Sequence, residues 1–452
     1  MFHQNFPLSL FCRRASLLPQ TRERGEYAGQ RVTETHPSTG SSDREPNPRR
    51  RLLAKVLLAV FSILVSFLAA ELLLRRYYPA GETIFQLDQR YLYRIKPNSH
   101  YVYRFSSING GGRLLVSYNS EGRRGAPVSM TRPRVLVYGD SFIEAAFSPI
   151  EQTFVWQLEQ KLKRTLSPAP QVVNCGVVGY GPDQESLVME DEIDRLKPEL
   201  VIVAIYAGND FGDLMRNKIY KLDDQEQLKK NDYTIDRSVV NDALFNEQFS
   251  RLYSIRLMER ASDKLVEKFE HQETSDEYMQ RWLRESVAEY KEYVIDGNNG
   301  VSNFFEDHYD ADVSLTPNSP SSQYKRMLMD RVIEKMKRVT AARGVPLMLV
   351  IIPAPFDVVD NYTVTVDERK YPEYRRSELT DVVEGIAKKH QLPYVNLFTP
   401  FREHGSAPLY YVFDNDHWKP EAQQLAASLV AEYILQQRLL DANADTTHRA
   451  QN

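Results

Sequence analysis

Arg134-Val135-Leu136-Val137-Tyr138-Gly139-Asp140-Ser141-Phe142 decides how this chain folds. Its first part is a short, almost wholly apolar run without alternation, as expected for a strand buried on both faces of a parallel sheet. Gly139-Asp140-Ser141 then makes a tight turn, and a helical pattern follows. A serine so placed stands at the carboxyl edge of the sheet, where ligands of open α/β sheets bind.

The same rhythm continues outward from that stretch. Further strands are expected at Val172–Asn174, Leu200–Tyr206, Pro346–Ile352 and Tyr394–Asn396. Helical patterns fall between them, near Glu151–Leu166, Asp183–Leu196, Ser322–Ala342, Glu373–His390 and Pro420–Leu439. Strand alternating with helix predicts a doubly wound α/β domain over residues 131–440. One segment, about 211–322, is far longer than an ordinary connection. It is polar, charged and helix-prone, and leaves the sheet just after Asn209-Asp210. It is expected to form a helical cap over the site that can be excised without losing turnover of a small ester; a cap needed for folding is the alternative. Within it, the acidic run Glu306-Asp307-His308-Tyr309-Asp310-Ala311-Asp312 lacks the glycine and ligand spacing of a calcium loop. It reads as a solvated loop, and His271 and His308 as surface residues.

Four blocks carry chemistry, in order: Gly139-Asp140-Ser141, then Gly176-Val177-Val178-Gly179, then Gly208-Asn209-Asp210, then Asp414-Asn415-Asp416-His417. A serine hydroxyl is a poor nucleophile until a base takes its proton. His417 is the candidate base and Asp414 its orienting partner, since three residues of separation place both on one turn of a loop. Asp416 ranks second, because an adjacent side chain usually points away. A tetrahedral intermediate also needs hydrogen-bond donors. The Ser141 N–H, the Gly179 N–H and the Asn209 side-chain amide are the candidates. Phe142, Tyr180 and Trp418 flank the blocks and are candidates for pocket walls or core.

These blocks resemble the SGNH, or GDSL, hydrolase family. The match runs from Arg134 to about Leu439, apart from the insertion. The family's serine falls on Ser141, its glycine on Gly179, its asparagine on Asn209, and its final Asp-x-x-His on Asp414 and His417. The resemblance implies a three-layer αβα, flavodoxin-like fold and ester hydrolysis or transesterification through an acyl-serine. It calls for no cofactor and no metal. Asn119-Ser120-Glu121-Gly122-Arg123-Arg124, lying behind an apolar segment, looks like membrane-anchored bacterial envelope members. Two departures stand out: Trp418-Lys419-Pro420 follows the histidine, and Ala422 stands where many members carry glycine.

The N-terminal part is of another kind. Residues 1–51 hold nine arginines against five acidic residues, show no periodicity, and are expected to be disordered. Leu52 to Leu74 is apolar and as a helix would span roughly 34 Å, enough to cross a hydrocarbon core of about 30 Å. Lys55 can snorkel from the first turn; Glu71 near the other end is less comfortable. Arg49, Arg50 and Arg51 favour a cytoplasmic N-terminus. A long cleaved signal peptide is the alternative. Residues 75–130 read as a linker with short strands, and 441–452 as a second disordered tail. The net charge of −4 gives no reason to invoke nucleic acid. Cys12 and Cys175 are not expected to pair if a membrane separates them.

The expected protein is therefore an inner-membrane, single-pass serine esterase with its catalytic domain in the periplasm or outside the cell. Its substrate is expected to be an O-acylated envelope glycan or another ester. An O-acyltransferase, a lipase or thioesterase, and a catalytically idle envelope scaffold are the alternatives.

Overall fold

The structure is a computed structural model. It describes residues 48–77, 84–236, 273–301, 307–360, 362–404, 409–412 and 416–440. The tails expected to be disordered fall outside these residues, except that 48–51 open a helix. His271, Cys12 and Asp414 also lie outside them.

The helix Pro48–Tyr77 is a unit of its own among the described residues. Its stretch Arg51–Arg76 has a mean hydropathy of 2.5 in its most apolar window and is long enough to cross a membrane. Glu71 pairs with Arg75 one turn on, at 3.0 Å. That pairing neutralises the one acid in the apolar run.

The second unit is built on a five-stranded sheet. Its strands are β1 (Arg134–Tyr138), β2 (Gln171–Asn174), β3 (Leu200–Tyr206), β4 (Leu347–Ile352) and β5 (Tyr394–Asn396). All pairings are parallel and the spatial order is β5-β4-β3-β1-β2. The order reverses beside β1, so β1 and β3 flank the topological switch point, where such sheets bind ligands. Every residue of β3 and β4 is buried. Their Val- and Ile-rich composition follows from that, because helices cover both faces. Truncating one of them, such as Ile202, to alanine would cost about 2–5 kcal/mol. The strands match the sequence reading to within one residue. The helices Pro182–Leu196, Pro320–Ala341 and Pro420–Gln436 fall where periodicity placed them, and Glu378–Lys389 starts later than the expected Glu373.

Two regions differ from their sequence reading. Residues 84–130 are part of the domain rather than a linker. Two antiparallel hairpins, Phe85–Asp88 with Leu92–Ile95 and His100–Arg104 with Arg113–Ser117, pack here. Ile84, Ile95, Tyr103, Val116 and Tyr118 form a small core with Phe147 and Tyr411.

The insertion is not a simple cap either. It contains the helix Ser275–Tyr290, but also a hairpin, Tyr220–Leu222 with Leu228–Lys230. Its acidic run is buried rather than solvated: His308, Tyr309, Asp310, Ala311 and Asp312 are all interior. Lys325 reaches both Asp310 and Asp312 at 2.9 Å, and all three side chains are fully buried. The Asp310 carboxylate also accepts from Gly212 N–H at 2.9 Å, and its own N–H donates to Gly208 O at 2.8 Å. His308 sits 3.1 Å from Glu289 and 3.4 Å from Arg216. The insertion's far end is thus stitched to the turn that carries Asn209.

Candidate active site

Ser141 opens a one-turn helix, Ser141–Glu144, directly after β1. Asp140 caps that helix, accepting from Phe142 N–H at 2.8 Å. Ser141 is the first helical residue, so its N–H is one of those with no acceptor inside the helix. The turn is tight on both sides. A Cβ on Gly139 would meet the Ile143 side chain at 2.3 Å, and one on Gly176 would meet Glu144 N at 2.3 Å. Glycine at these positions lets the turn after β2 close on the serine helix. Asn174 locks the two together. Its amide donates to Ile143 O at 2.7 Å and its carbonyl accepts from Gly176 N–H at 2.9 Å.

Arg124 holds the other end of the serine helix. Its buried guanidinium donates to Glu144 O at 3.2 Å and also bonds Ala145 O and Ser148 O. The Asn119–Arg124 segment places it there by an Asx turn, with Asn119 Oδ1 accepting from Glu121 N–H at 2.8 Å and Arg123 N–H at 3.1 Å. Gly122 has φ +73° and packs against Ile95 O.

His417 Nε2 lies 2.6 Å from Ser141 Oγ. Residues 276 apart in sequence meet here because β1 and the loop before the last helix end at one sheet edge. The imidazole is held by aromatic rings, with Phe142 at 4.8 Å, near-parallel, and Phe147 at 4.3 Å. Asp416 does not point away. Its carboxylate is 3.3 Å from His417 Nδ1, and Tyr206 Oη donates to it at 3.2 Å. Tyr206 in turn packs on Phe142 at 4.3 Å.

Gly179 lies in the turn after β2 with φ +70°, a conformation that favours glycine. Asn209 follows β3 and precedes the helix Asp210–Asn217. Its Oδ1 has no hydrogen-bond partner among the described residues. Since β2 and β3 both neighbour β1, the three turns carrying Ser141, Gly179 and Asn209 rise side by side. Ser141 and His417 are nearly covered, at 4% and 7% exposure. That lowers the local dielectric and strengthens hydrogen bonds within the site. Burial drives the Asp140 carboxyl above the ordinary carboxylate range. Phe142, Tyr180 and Trp418 are all interior. Burial pushes the Cys175 thiol up to about 12, in keeping with a small buried hydrophobe.

Phe147 and Tyr206, which hold the histidine and its neighbouring carboxylate, were not singled out in the sequence. Tyr206 closes an apolar strand, and Phe147 lies between motifs. Neither carries a spacing signal.

Residues 308–452 match the family described as "SGNH hydrolase-like domain, acetyltransferase AlgX". No curated protein matches the chain. Among solved structures the chain is similar to a lipase/acylhydrolase from Enterococcus faecalis, with 11% identity, 67% of this chain and 95% of that chain covered, and a TM-score of 0.31. It is similar to a GDSL-like lipase from Bacteroides thetaiotaomicron, with 12% identity, 69% and 92% covered, and a TM-score of 0.31. A catalytic mutant of an acetylxylan esterase from Geobacillus stearothermophilus shows 13% identity, 68% and 96% covered, and a TM-score of 0.34. Residues 308–452 are thus similar to an SGNH hydrolase-like domain, the family that the four sequence blocks resemble.

Proposed function

We propose that this protein is a membrane-anchored serine enzyme that cleaves or transfers O-acyl groups on an envelope glycan. The observation that carries the reading is the 2.6 Å approach of His417 Nε2 to Ser141 Oγ. Ser141 Oγ attacks the ester carbonyl while His417 Nε2 takes the hydroxyl proton. The carbonyl oxygen becomes an oxyanion, held by the Ser141 and Gly179 N–H groups and the Asn209 amide. The C–O bond to the leaving alcohol breaks, and the imidazolium returns the proton to that alcohol. Water or a sugar hydroxyl then attacks the acyl-serine, again losing its proton to His417; the bond from the acyl carbon to Ser141 Oγ breaks, and the imidazolium returns the proton to Oγ. Asp414 is assigned to orient the imidazole. Asp416, beside Nδ1, adds a second carboxylate that stabilises the charge formed there.

The glycan substrate is supported by two features: an apolar helix at the N-terminal side, and a family description that names an acetyltransferase. The basic run Arg49–Arg51 supports a cytoplasmic N-terminus and an exported domain. The test is labelling of the purified protein with a fluorophosphonate probe, alongside hydrolysis of a small activated acetate ester. Both are expected in the wild type and absent in Ser141→Ala. A folded Ser141→Ala protein as active as wild type would overturn the nucleophile assignment.

A further inference from the structure

The turn of the 100–117 hairpin touches the loop that carries the base. Asn109 Nδ2 donates to Val412 O at 2.9 Å, and Asn109 Oδ1 accepts from Val412 N–H at 3.1 Å. One side-chain amide thus pairs with both polar groups of one residue, as a neighbouring strand would. Asn109 is set for this by its own turn, where Nδ2 also reaches Ser106 Oγ at 3.2 Å.

Residues 409–412 are themselves paired to the segment containing His417. Tyr411 N–H donates to His417 O at 2.9 Å, and Lys419 N–H to Leu409 O at 2.8 Å. Tyr410 and Trp418 form an antiparallel bridge between these bonds. A second route runs through side chains. Tyr103 of the hairpin packs on Phe147 at 4.8 Å, Phe105 lies 5.4 Å from Tyr411, and Tyr411 Oη donates to Phe147 O at 3.1 Å. Phe147 is the ring lying against His417.

We propose that Asn109 is a positioning residue for His417, and that the 100–117 hairpin is a strut of the active site. The inference rests on the acyl-transfer reading above. Asn109 touches no reacting atom. It holds Val412, Val412 continues Tyr411, and Tyr411 is bonded to the histidine's own backbone. Loss of the strut frees the imidazole to leave the serine, and a shift of about 1 Å in such a group can cost on the order of 100-fold in rate.

The test uses the full chain and a small activated acetate ester, with wild type and Ser141→Ala measured first. Asn109→Ala is expected to lower kcat by about tenfold or more with little change in KM, since the ester's binding contacts remain. Hydrogen exchange is expected to quicken at the amides of residues 409–419. Asn109→Asp keeps the acceptor for Val412 N–H but loses the donor, and is expected to fall between Asn109→Ala and wild type. Ile108→Ala, at an exposed residue of the same turn, is expected to change neither readout. Unchanged exchange at 409–419 in Asn109→Ala would overturn the proposal, and so would faster exchange with unchanged kcat. If the wild type fails to turn over the ester, the acyl-transfer reading fails, and the exchange measurement alone decides whether Asn109 braces the loop.

Discussion

Asn209→Ala removes the side-chain amide assigned to the oxyanion and leaves the backbone of its turn in place. It is expected to lower kcat by about 10²–10³-fold, or roughly 2.7–4 kcal/mol, with a smaller change in KM. A raised KM with unchanged kcat would instead mark a substrate-binding asparagine. Gly176→Ala tests the packing of the serine turn. Its Cβ would meet Glu144 N at 2.3 Å and Ile143 C at 2.7 Å, both backbone atoms that cannot swing aside. Overpacking of this kind costs about 1–3 kcal/mol, so a lower thermal midpoint and a lower ester rate are expected together. At this scale Ser141 and His417 were legible because a strand-end serine and a late Asp-x-x-His are local patterns. The aromatic neighbours of the histidine were not. Phe142, Phe147 and Tyr206 come together only when the strand ends meet.

Single elements were legible in proportion to how local their causes are. The five strands announce themselves as apolar runs bounded by turn residues, and the helices by their period. The acidic run at 307–312 misled for the opposite reason. Its carboxylates are answered by Lys325 and Arg216 and its His308 by Glu289, none of them adjacent to the run in sequence. Lys325→Met is expected to destabilise the domain by about 3–5 kcal/mol, because it leaves two carboxylates buried without their cation. Equilibrium urea unfolding measures that loss, and an unchanged midpoint would show that the pair contributes nothing. For the same reason, replacing residues 222–319 by a short linker is expected to abolish cooperative unfolding. The excision removes Asp310 and Asp312 and strands Lys325 in the core. A truncated protein that unfolds cooperatively and still turns over a small ester would restore the separable cap.

For the molecule as a whole, buried carboxylates set how stability follows pH. Burial pushes Asp183 up to about 7, against hydrogen bonds from Asn217 and Gln184. It pushes Asp357 up to about 7, against the hydroxyls of Tyr374 and Tyr309. Between about pH 4 and 7 the folded chain therefore holds protons that the unfolded chain has released, and stability falls as pH rises through that window. Glu289 acts in the opposite sense. Burial would raise it, but Arg216 and His308 prevail and hold it near about 2. Its contribution is present above the ordinary carboxylate pKa and is lost as pH drops below about 4. The urea midpoint is expected to peak at about pH 4 and decline towards about pH 7; a midpoint that rises over that interval would contradict the assignment. A reporter fused behind Leu440 is expected to work only outside the cytoplasm, given the basic run before the apolar helix.

The sequence by itself determined the sheet, its helices and the apolar helix, and it singled out the serine and histidine that the fold brings together. Each of these is written in residues close enough together for period, turn chemistry or spacing to reveal it. Only the tertiary structure decided that the 84–130 segment packs into the domain against Phe147 and Tyr411, that Asp416 lies beside the imidazole, and that the acidic end of the insertion is core. Those facts depend on contacts between residues hundreds of positions apart, such as Asn109 with Val412 and Tyr206 with Asp416. A buried charge or amide looks in sequence like a solvated one, because what distinguishes them is the partner that folding brings.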